Sequence, residues 1–192
     1  MELILIRHGR PERSEASADP HLNAQGGEQA VRVARWLAAD AIDAVWSSTM
    51  RRAIQTAEAF TAQSGHQIRQ HAGLVEFDRA AGVYIPSEEL KRENFAAWQA
   101  LAVGGEGFDM EAFQTTVVGA MEEIVSAHPG QKVAVFCHGG VINVWAAHVL
   151  GTKPRVFFEA DYTSINRFVC ARTGQRMVVS LNERAHLREA NG

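Results

Sequence analysis

Two histidines in the sequence each follow a short apolar run and precede a glycine. His8 lies in "LILIRHG" and His138 lies in "VAVFCHGG". A neutral imidazole is a good nucleophile toward phosphorus, because one ring nitrogen attacks while the other donates a hydrogen bond that fixes the tautomer. Arg7 stands beside His8, and a guanidinium both lowers the pKa of a nearby imidazole and binds two phosphate oxygens at once. The pattern predicts phosphoryl transfer to His8, although a buried histidine that only ends a strand would give the same pattern.

The glycines beside these histidines are suited to an anion. Gly9 lets the backbone come close to a bound anion, because it has no Cβ. Gly139 opens a predicted helix, and the free N–H groups at a helix N-terminus attract anions. A histidine at that point, His138, is suited to bind phosphoryl oxygens and to stabilise the charge that develops during transfer. Both histidine motifs are therefore candidates for one phosphate-binding site.

Two further polar positions fit the same chemistry. Arg51 and Arg52 open a helix in "SSTMRRAIQTAE", where positive charge is unfavourable beside the positive end of the helix dipole. That cost makes sense if one of them faces an anion, although a solvated basic turn is the simpler interpretation of this stretch alone. Glu76, in "GLVEFD", is a candidate proton donor, since a carboxyl group beside a phosphate dianion has a raised pKa. A solvated loop glutamate is the alternative for Glu76.

Alternating strands and helices are expected to position these residues. Apolar runs predict strands at 2–6, 41–48, 67–74 and 132–140, and a hairpin at 164–182 around Thr173–Gly174. Helical spacing predicts helices at 25–40, 49–65, 87–101, 109–128 and 140–151. An α/β chain of this kind folds into a largely parallel sheet, and its ligands bind outside the carboxyl ends of the strands. We therefore expect Arg7, His8 and His138 at one edge of one sheet.

Composition limits the classes of function. The chain has 192 residues, of which 46% are hydrophobic, and this is enough for one sizeable core. Its net charge of −3 gives no electrostatic case for binding nucleic acid or an anionic membrane, and no apolar run reaches the roughly 18–20 residues of a membrane span. The N-terminus lacks a secretory pattern, and Cys137 and Cys170 lie in apolar runs, so we expect a cytoplasmic protein without a disulfide framework. The eight histidines show no H-x-H or H-E-x-x-H spacing, so no metal site is predicted.

Together these motifs resemble the histidine phosphatase superfamily, whose members have the phosphoglycerate mutase-like fold. "LIRHG" is similar to the family's signature, "DPHLNAQGGEQA" to its D-x-x-L-T-x-x-G-x-x-Q-A stretch, and "SSTMRRAIQTA" to S-S-P-L-x-R-A-x-Q-T-A. The resemblance extends over nearly the whole chain. It assigns His8 to the phosphorylated histidine and Glu76 to the proton donor. It assigns Arg7, Arg52 and His138 to the phosphate pocket.

The resemblance implies a fold and a reaction. The fold is expected to be a three-layer α/β/α sandwich, one domain over 1–192, with six strands of which one is antiparallel and a small helical cap at 77–108. The reaction is expected to be that of a histidine acid phosphatase-type enzyme, the metal-independent hydrolysis of a small phosphate ester. In it His8 takes the phosphoryl group, Glu76 protonates the leaving oxygen, and water then hydrolyses phospho-His8. No metal and no organic cofactor is implied, and the oligomeric state stays open, with a homodimer as one alternative.

Departures from the family pattern concern the substrate. Arg10 stands where many relatives carry Glu or Gln after "RHG", and no Asn occurs between Arg10 and Asp19 to serve as a phosphate donor. Because Arg10 lies two residues from His8, we expect it to meet a second anionic group of the substrate. Other candidates for that role, each of which could equally be part of a solvated surface, are Arg13, Arg79, Tyr84, Lys91 and Arg92.

Three alternative functions stay open at this stage. A phosphoglycerate mutase would use the same residues, but its cap and tail are larger than this chain provides. A non-catalytic phospho-ligand binding module would be marked by loss of His8, Glu76 or His138, and all three are present. A cysteine-dependent phosphatase is matched literally by "CARTGQR", which is C-x5-R with Cys170 and Arg176, but a strand-forming run follows where that mechanism needs a helix.

Overall fold

A six-stranded sheet forms the centre of the computed structural model, which describes residues 1–80, 82–102 and 108–188. The strands are β1 (Glu2–Arg7), β2 (Ala44–Ser48), β3 (Ile68–His71), β4 (Lys132–Cys137), β5 (Ile165–Cys170) and β6 (Arg176–Glu183). Their order across the sheet is β3-β2-β4-β1-β5-β6. β5 runs antiparallel to β1 and to β6, and the other neighbouring pairs are parallel. The predicted mostly parallel sheet with one antiparallel strand is confirmed.

Helices cover both faces of this sheet. They are α1 (Ala24–Leu37), α2 (Arg51–Ser64), α3 (Ser87–Glu93), α4 (Phe95–Ala102), α5 (Met110–Ala127) and α6 (Gly139–Val149). α1 packs beside α2 on one face, and α5 packs beside α6 on the other. Short 3-10 turns occur at 72–74, 77–80 and 185–187.

The side chains of β1 alternate between two apolar cores. Leu3 and Leu5 pack with residues of α5 and α6 in one core cluster. Ile4 and Ile6 pack with residues of α1 and α2 in a second cluster on the opposite face. All four side chains are fully buried, and a strand that is buried on both faces carries a continuous apolar run, as β1 does between Glu2 and Arg7. The predicted three-layer α/β/α sandwich is thereby confirmed.

The pairing of β1 with β4 sets the positions of the two histidines. The strands are parallel, and Arg7 stands opposite Cys137 at their carboxyl ends. His8 and His138 are the residues that follow these two strands, so they leave adjacent strands at the same sheet edge. The N–H of His8 continues the strand pairing by donating to the carbonyl oxygen of Cys137 at 3.0 Å. The sheet therefore carries both imidazoles to one place, as the sequence predicts.

The segment predicted as a cap, 77–108, differs in detail from the expectation. The single helix predicted at 87–101 is two helices, α3 and α4, because Asn94 takes a non-helical backbone conformation between them. The side-chain oxygen of Asn94 accepts a hydrogen bond from the N–H of Ala97 and so satisfies a free donor of the second helix. Positions 81 and 103–107 of this segment lie outside the described residues.

The hairpin predicted at 164–182 is confirmed, and it bears on Cys170. β5 ends at Cys170 and β6 begins at Arg176, with Gly174 at a φ of 96° in the turn between them. Burial raises the pKa of the Cys170 thiol, and Arg176 is ion-paired with Glu122. A cysteine-dependent phosphatase needs a phosphate-binding loop that leads into a helix, so its mechanism does not fit this part of the chain.

Candidate active site

A cavity of about 330 Å³ opens where the parallel strands end. Five of the predicted catalytic and phosphate-binding residues line it, namely Arg7, His8, Arg52, Glu76 and Gly139. The rest of its lining consists of Phe77, Asp78, Tyr84, Ile85, Ser87, Trp98, Gly140, Asn143, Val156, Phe157, Phe158, Glu159 and Ala160. Gly9 and His138, next to the lining residues His8 and Gly139 in the chain, are buried and are not part of the lining.

The imidazole of His8 is held in one tautomer. Its Nδ1 donates to the carbonyl oxygen of Gly9 at 2.7 Å, so Nε2 carries no proton and keeps its lone pair. The Nε–H of Arg52 points at that lone pair from 3.2 Å. Burial, together with the positive charges of Arg52 and Arg7, holds the pKa of His8 well below its ordinary value. The ring is therefore neutral at neutral pH, and Nε2 is its nucleophilic atom.

Arg52 is fully buried and reaches from His8 to an acidic residue that the sequence analysis did not single out. Its Nη1 donates to the carbonyl oxygen of Ala18 at 2.8 Å, and its Nη2 lies 3.1 Å from Oδ1 of Asp78. The guanidinium lies over the ring of Tyr84, with Cζ 4.7 Å from the ring centroid. These contacts hold the guanidinium fork in a fixed orientation beside the nucleophilic nitrogen.

Two buried nitrogens close to His8 have no partner among the described residues, Nε of Arg7 and Nδ1 of His138. The ring of His138 lies 5.1 Å from the ring of His8, between centroids. Nε2 of His138 is 2.9 Å from Oγ of Ser48, which itself accepts from the N–H of Met50. The hydroxyl hydrogen is therefore free to bond Nε2, and Nδ1 then carries the ring proton. Unpartnered buried donors of this kind are suited to bind an oxyanion.

Glu76 reaches the cavity from the loop that follows β3. Its Oε2 accepts from the N–H of Gly140 at 2.8 Å, and its Oε1 accepts from the N–H of Phe77 at 3.1 Å. Burial and the neighbouring charge of Asp78 raise the pKa of this carboxyl to about 7. A large share of Glu76 is therefore protonated at neutral pH, as a proton donor requires.

Close to each of the two histidines, one glycine has no room for a Cβ. A Cβ on Gly9 would lie 2.4 Å from the carbonyl oxygen of Gly26, at the point where α1 approaches the end of β1. A Cβ on Gly140 would lie 2.3 Å from Oε1 of Glu76. Gly139, which the sequence analysis selected, would meet only ordinary contact distances. Among the glycines that follow the two histidines, the close approaches therefore fall on Gly9 and Gly140. Gly26, which faces Gly9, is crowded in turn by the carbonyl oxygen of Arg10.

Arg10 does not line the cavity. Its Nη2 donates to Oε1 of Glu89 at 3.0 Å, and its Nε lies 3.3 Å from Oε1 of Glu88. Both acidic residues belong to α3, so Arg10 joins the loop after β1 to that helix. This placement differs from the expected contact with a second anionic group of the substrate, and it does not support that contact.

Sequence reasoning also missed the residues that build one wall of the cavity. Asn143 is only 1% exposed, and its Oδ1 accepts from the N–H groups of Phe157 and Phe158 at 2.9 and 3.1 Å. Its Nδ2 donates to the carbonyl oxygen of Phe158 at 3.0 Å. An asparagine in the middle of an apolar helix was a usable signal, because a buried amide needs partners. The paired phenylalanines gave no signal, since they lie in a loop without periodicity.

Neither a metal-binding cluster nor a membrane-spanning helix occurs in the described part of the chain. No group of three or more His, Cys, Asp or Glu side chains within 1–80, 82–102 and 108–188 could hold a metal ion. In the same residues no helix is both long enough and apolar enough to cross a lipid bilayer.

A known family matches this chain over most of its length. Residues 3–183 fit the sequence model of the histidine phosphatase superfamily, branch 1. The chain therefore belongs to that superfamily, and the resemblance carried by its motifs is confirmed.

Individual relatives of the chain are phosphatases by name. Phosphoserine phosphatase 1 of Hydrogenobacter thermophilus is 25% identical over 203 residues, which cover 98% of this chain and 95% of that protein. A metal-independent phosphoserine phosphatase of Arabidopsis thaliana is 30% identical over 163 residues, covering 74% of this chain and 66% of that protein. The crystal structure of a phosphoserine phosphatase from Entamoeba histolytica with 3-phosphoglyceric acid has a TM-score of 0.77 and 22% identity, covering 97% of this chain and 99% of that one. This last likeness confirms the fold.

Proposed function

We propose that this protein is a metal-independent phosphomonoester hydrolase that forms a phosphohistidine at His8 during turnover. The observation that carries the proposal is the state of His8: Gly9 fixes the proton on Nδ1, so Nε2 carries no proton and its lone pair accepts from the Nε–H of Arg52. That nitrogen faces an open cavity large enough for a small phosphate ester. Membership of the superfamily and the two relatives named as phosphoserine phosphatases support hydrolysis over transfer to a second substrate.

In the first step Nε2 of His8 attacks phosphorus. The new P–N bond forms while the bond from phosphorus to the ester oxygen breaks. Arg7, Arg52 and the Nδ1–H of His138 stabilise the charge on the three other phosphoryl oxygens, where it gathers during transfer. The proton of Glu76 moves to the leaving oxygen, so the departing group is a neutral alcohol.

In the second step a water molecule attacks the phosphoryl group of phospho-His8. Glu76, now a carboxylate, takes one proton from this water while the P–N bond breaks and its electron pair returns to Nε2. Inorganic phosphate leaves, and both residues are back in their starting protonation states. A pKa of about 7 is well matched to a carboxyl group that must give a proton in one step and take one in the next.

The proposal is tested by hydrolysis of an aryl phosphate in the presence of a chelator, followed by trapping of the intermediate. Wild-type protein should release phosphate despite the chelator. A brief reaction quenched in alkali, in which phosphohistidine survives, should leave one phosphoryl group on the peptide that contains His8, as seen by mass spectrometry. His8→Ala should lose both the activity and the label.

Two variants serve as matched controls. His66→Ala removes an imidazole outside the cavity, and Cys170→Ser removes the nucleophile of the rival mechanism. Both variants should keep the activity and the label on His8. Activity that disappears with Cys170→Ser, or that the chelator abolishes, would contradict the proposal. Tight binding of the ester without hydrolysis would indicate a binding module instead.

A further inference from the structure

Away from the nucleophile, the cavity is walled mainly by apolar and aromatic side chains. They are Phe77, Ile85, Trp98, Val156, Phe157 and Phe158. The rings of Phe157 and Phe158 lie 5.1 Å apart, between centroids, and Asn143 fixes their backbone. Such a wall favours an apolar group, because contact with it removes apolar surface from water. It offers no partner to a charged group, which would lose its hydration there.

The cavity also lacks a cation for a second anionic group. All 19 lysine and arginine residues of the chain fall within the described residues, and of these only Arg7 and Arg52 line the cavity. Both stand beside His8, since Arg7 precedes it and Arg52 points its Nε–H at Nε2 from 3.2 Å. Both guanidinium groups are therefore used by the phosphoryl group that is transferred.

The cations that the sequence suggested for a second anionic group are ion-paired or lie outside the cavity lining. Arg10 and Arg13 form ion pairs with acidic residues of α3. Nζ of Lys91 lies 3.1 Å from Oε2 of Glu159, which itself lines the cavity. Outside the lining lie the exposed side chains of Arg79 and Arg92. A carboxylate or second phosphate on the substrate would thus meet Glu159 and Asp78 without a free positive charge to balance them.

We infer that the substrate is the monophosphate ester of an uncharged alcohol that carries an aromatic or bulky apolar group. The inference rests on the proposed phosphatase activity and concerns the leaving group alone. Esters with a carboxylate or a second phosphate, such as phosphoserine or 3-phosphoglycerate, are then poor substrates. Transfer between two phosphorylated positions of one polyanion is disfavoured for the same reason.

Four esters test the inference: benzyl phosphate, 4-carboxybenzyl phosphate, 4-(aminomethyl)benzyl phosphate and ethyl phosphate. The three benzyl alcohols have similar acidity, so differences among them report recognition and not the ease of bond cleavage. We expect kcat/KM for benzyl phosphate to exceed that for the carboxylated ester and for ethyl phosphate by about tenfold or more. Equal values for benzyl and carboxylated esters would overturn the inference. So would a preference for the aminomethyl ester, which would assign Asp78 and Glu159 to a cationic substrate.

A pair of charge variants tests the electrostatic half of the argument. Glu159→Gln removes the partner of Lys91 and should raise kcat/KM for 4-carboxybenzyl phosphate about threefold or more relative to benzyl phosphate. Glu93→Gln is the control, because it removes the same charge from an ion pair with Arg13 outside the cavity lining. Glu93→Gln should leave the ratio of kcat/KM for 4-carboxybenzyl phosphate to kcat/KM for benzyl phosphate unchanged. An equal effect of both substitutions would show that the ratio of kcat/KM values depends on the net charge of the protein and not on the charge at position 159.

A pair of wall variants tests the apolar half. Phe157→Ala should reduce the preference for benzyl over ethyl phosphate about threefold or more, whereas Phe157→Leu should keep most of it. An unchanged preference in Phe157→Ala would contradict the role given to this wall.

Failure of the inference and failure of the proposed function give different results. Hydrolysis of all four esters with similar kcat/KM, lost in His8→Ala, would leave the phosphatase in place and overturn the substrate class. Hydrolysis of none of them by wild-type protein would overturn the proposed function, and the substrate class would fall with it.

Discussion

Glu76 is the residue that should set the pH dependence of the first chemical step. Its raised pKa, about 7, comes from burial and from the charge of Asp78. Because the protonated form is the donor, kcat/KM for benzyl phosphate should fall as the pH rises through about 7. Glu76→Gln should lower kcat/KM by roughly 10²–10⁴-fold and remove this fall. The pH profiles of wild-type protein and Glu76→Gln are measured on the same ester. Ionisation of the substrate affects both profiles equally, so the difference between them reports Glu76.

A good leaving group provides the control for Glu76. 4-Nitrophenolate leaves without protonation, so Glu76→Gln should slow its ester far less than benzyl phosphate. An equal loss on both esters would show that Glu76 positions the phosphoryl group and does not donate a proton.

Asp78 should adjust both Glu76 and Arg52. Asp78→Asn removes a negative charge beside Glu76, so the pKa of Glu76 should fall and the falling limb of kcat/KM should move to lower pH. The same substitution removes the ion-pair partner of Nη2 of Arg52, so the guanidinium should bind an oxyanion more tightly. Inhibition by the oxyanion orthovanadate should therefore become stronger. Glu58→Gln removes a charge from the exposed side of α2 and should change neither quantity. If the falling limb of the kcat/KM profile stays at the same pH in Asp78→Asn, the raised pKa of Glu76 comes from burial alone.

At this scale the sequence was informative where residues follow strands. Arg7, His8 and His138 could be selected because each comes at the end of an apolar run that predicts a strand. Parallel strands end at one sheet edge, so these residues were expected to meet there. Asp78 could not be selected, since its contact with Arg52 joins a loop to a distant helix and leaves no local pattern. The sequence analysis selected Gly139, whereas the glycine that has no room for a Cβ is Gly140. The cause is similar, because only the folded loop brings Glu76 against the backbone of Gly140.

Among the elements, α6 should determine the shape of the cavity wall through one side chain. Asn143→Ala removes the acceptor of two backbone N–H groups and the donor to two backbone carbonyls, those of Gly139 and Phe158. We expect a loss of about 1–3 kcal/mol in the free energy of unfolding, because buried polar groups are left unpartnered. KM for benzyl phosphate should rise several-fold, while kcat changes little. Denaturation and steady-state kinetics measure the two effects.

Gln114→Ala is the matched control for this prediction. Gln114 lies on α5, and its amide Nε2 donates to the carbonyl oxygen of Val144 on α6, the helix that carries Asn143. Gln114 does not line the cavity. Stability should fall in this variant without the change in KM. A rise in KM of the same size would mean that general loosening of α6, and not the loop at 156–158, alters binding.

The contact between the end of β1 and α1 should tolerate no added carbon. Gly9→Ala places a Cβ 2.4 Å from the carbonyl oxygen of Gly26, and such overpacking costs about 1–3 kcal/mol of stability. Gly27→Ala, on the same helix, meets nothing within 4 Å and should stabilise the protein by about 0.5–1 kcal/mol. Urea unfolding compares the two variants. Equal stability of both would show that α1 moves freely away from β1.

The elements themselves were predictable where periodicity was long. β1 and β4 read as apolar runs because helices cover both faces, and α5 is capped at Asp109, whose side chain accepts from the N–H of Ala112. The division of 87–101 into two helices was not predictable from its hydrophobic pattern. There the chain leaves the helical conformation at Asn94, whose side chain accepts from the N–H of Ala97 in the following helix.

In the molecule as a whole, the segment that contains α3 is joined to the sheet mainly by polar contacts. α3 has no buried residue. Its acidic residues bind Arg10 and Arg13, and Glu88 also accepts from the hydroxyl of Tyr162 at 3.0 Å. Exposed ion pairs contribute little individually, and salt weakens them further. This part of the cavity rim should therefore open more readily than the sheet and its two apolar cores.

Arg10→Ala tests this view of the rim against direct contact with the substrate. If Arg10 acts by holding α3, the variant should raise KM for benzyl and 4-carboxybenzyl phosphate by the same factor. It should also speed hydrogen exchange at 87–93 without changing exchange in β1 and β4. In wild-type protein, salt raised from about 0.1 M to about 1 M shortens the Debye length from about 10 to about 3 Å and should have the same effect on exchange. A rise in KM confined to the carboxylated ester would instead restore Arg10 as the residue that meets a second anionic group, and it would contradict the substrate class inferred from the cavity.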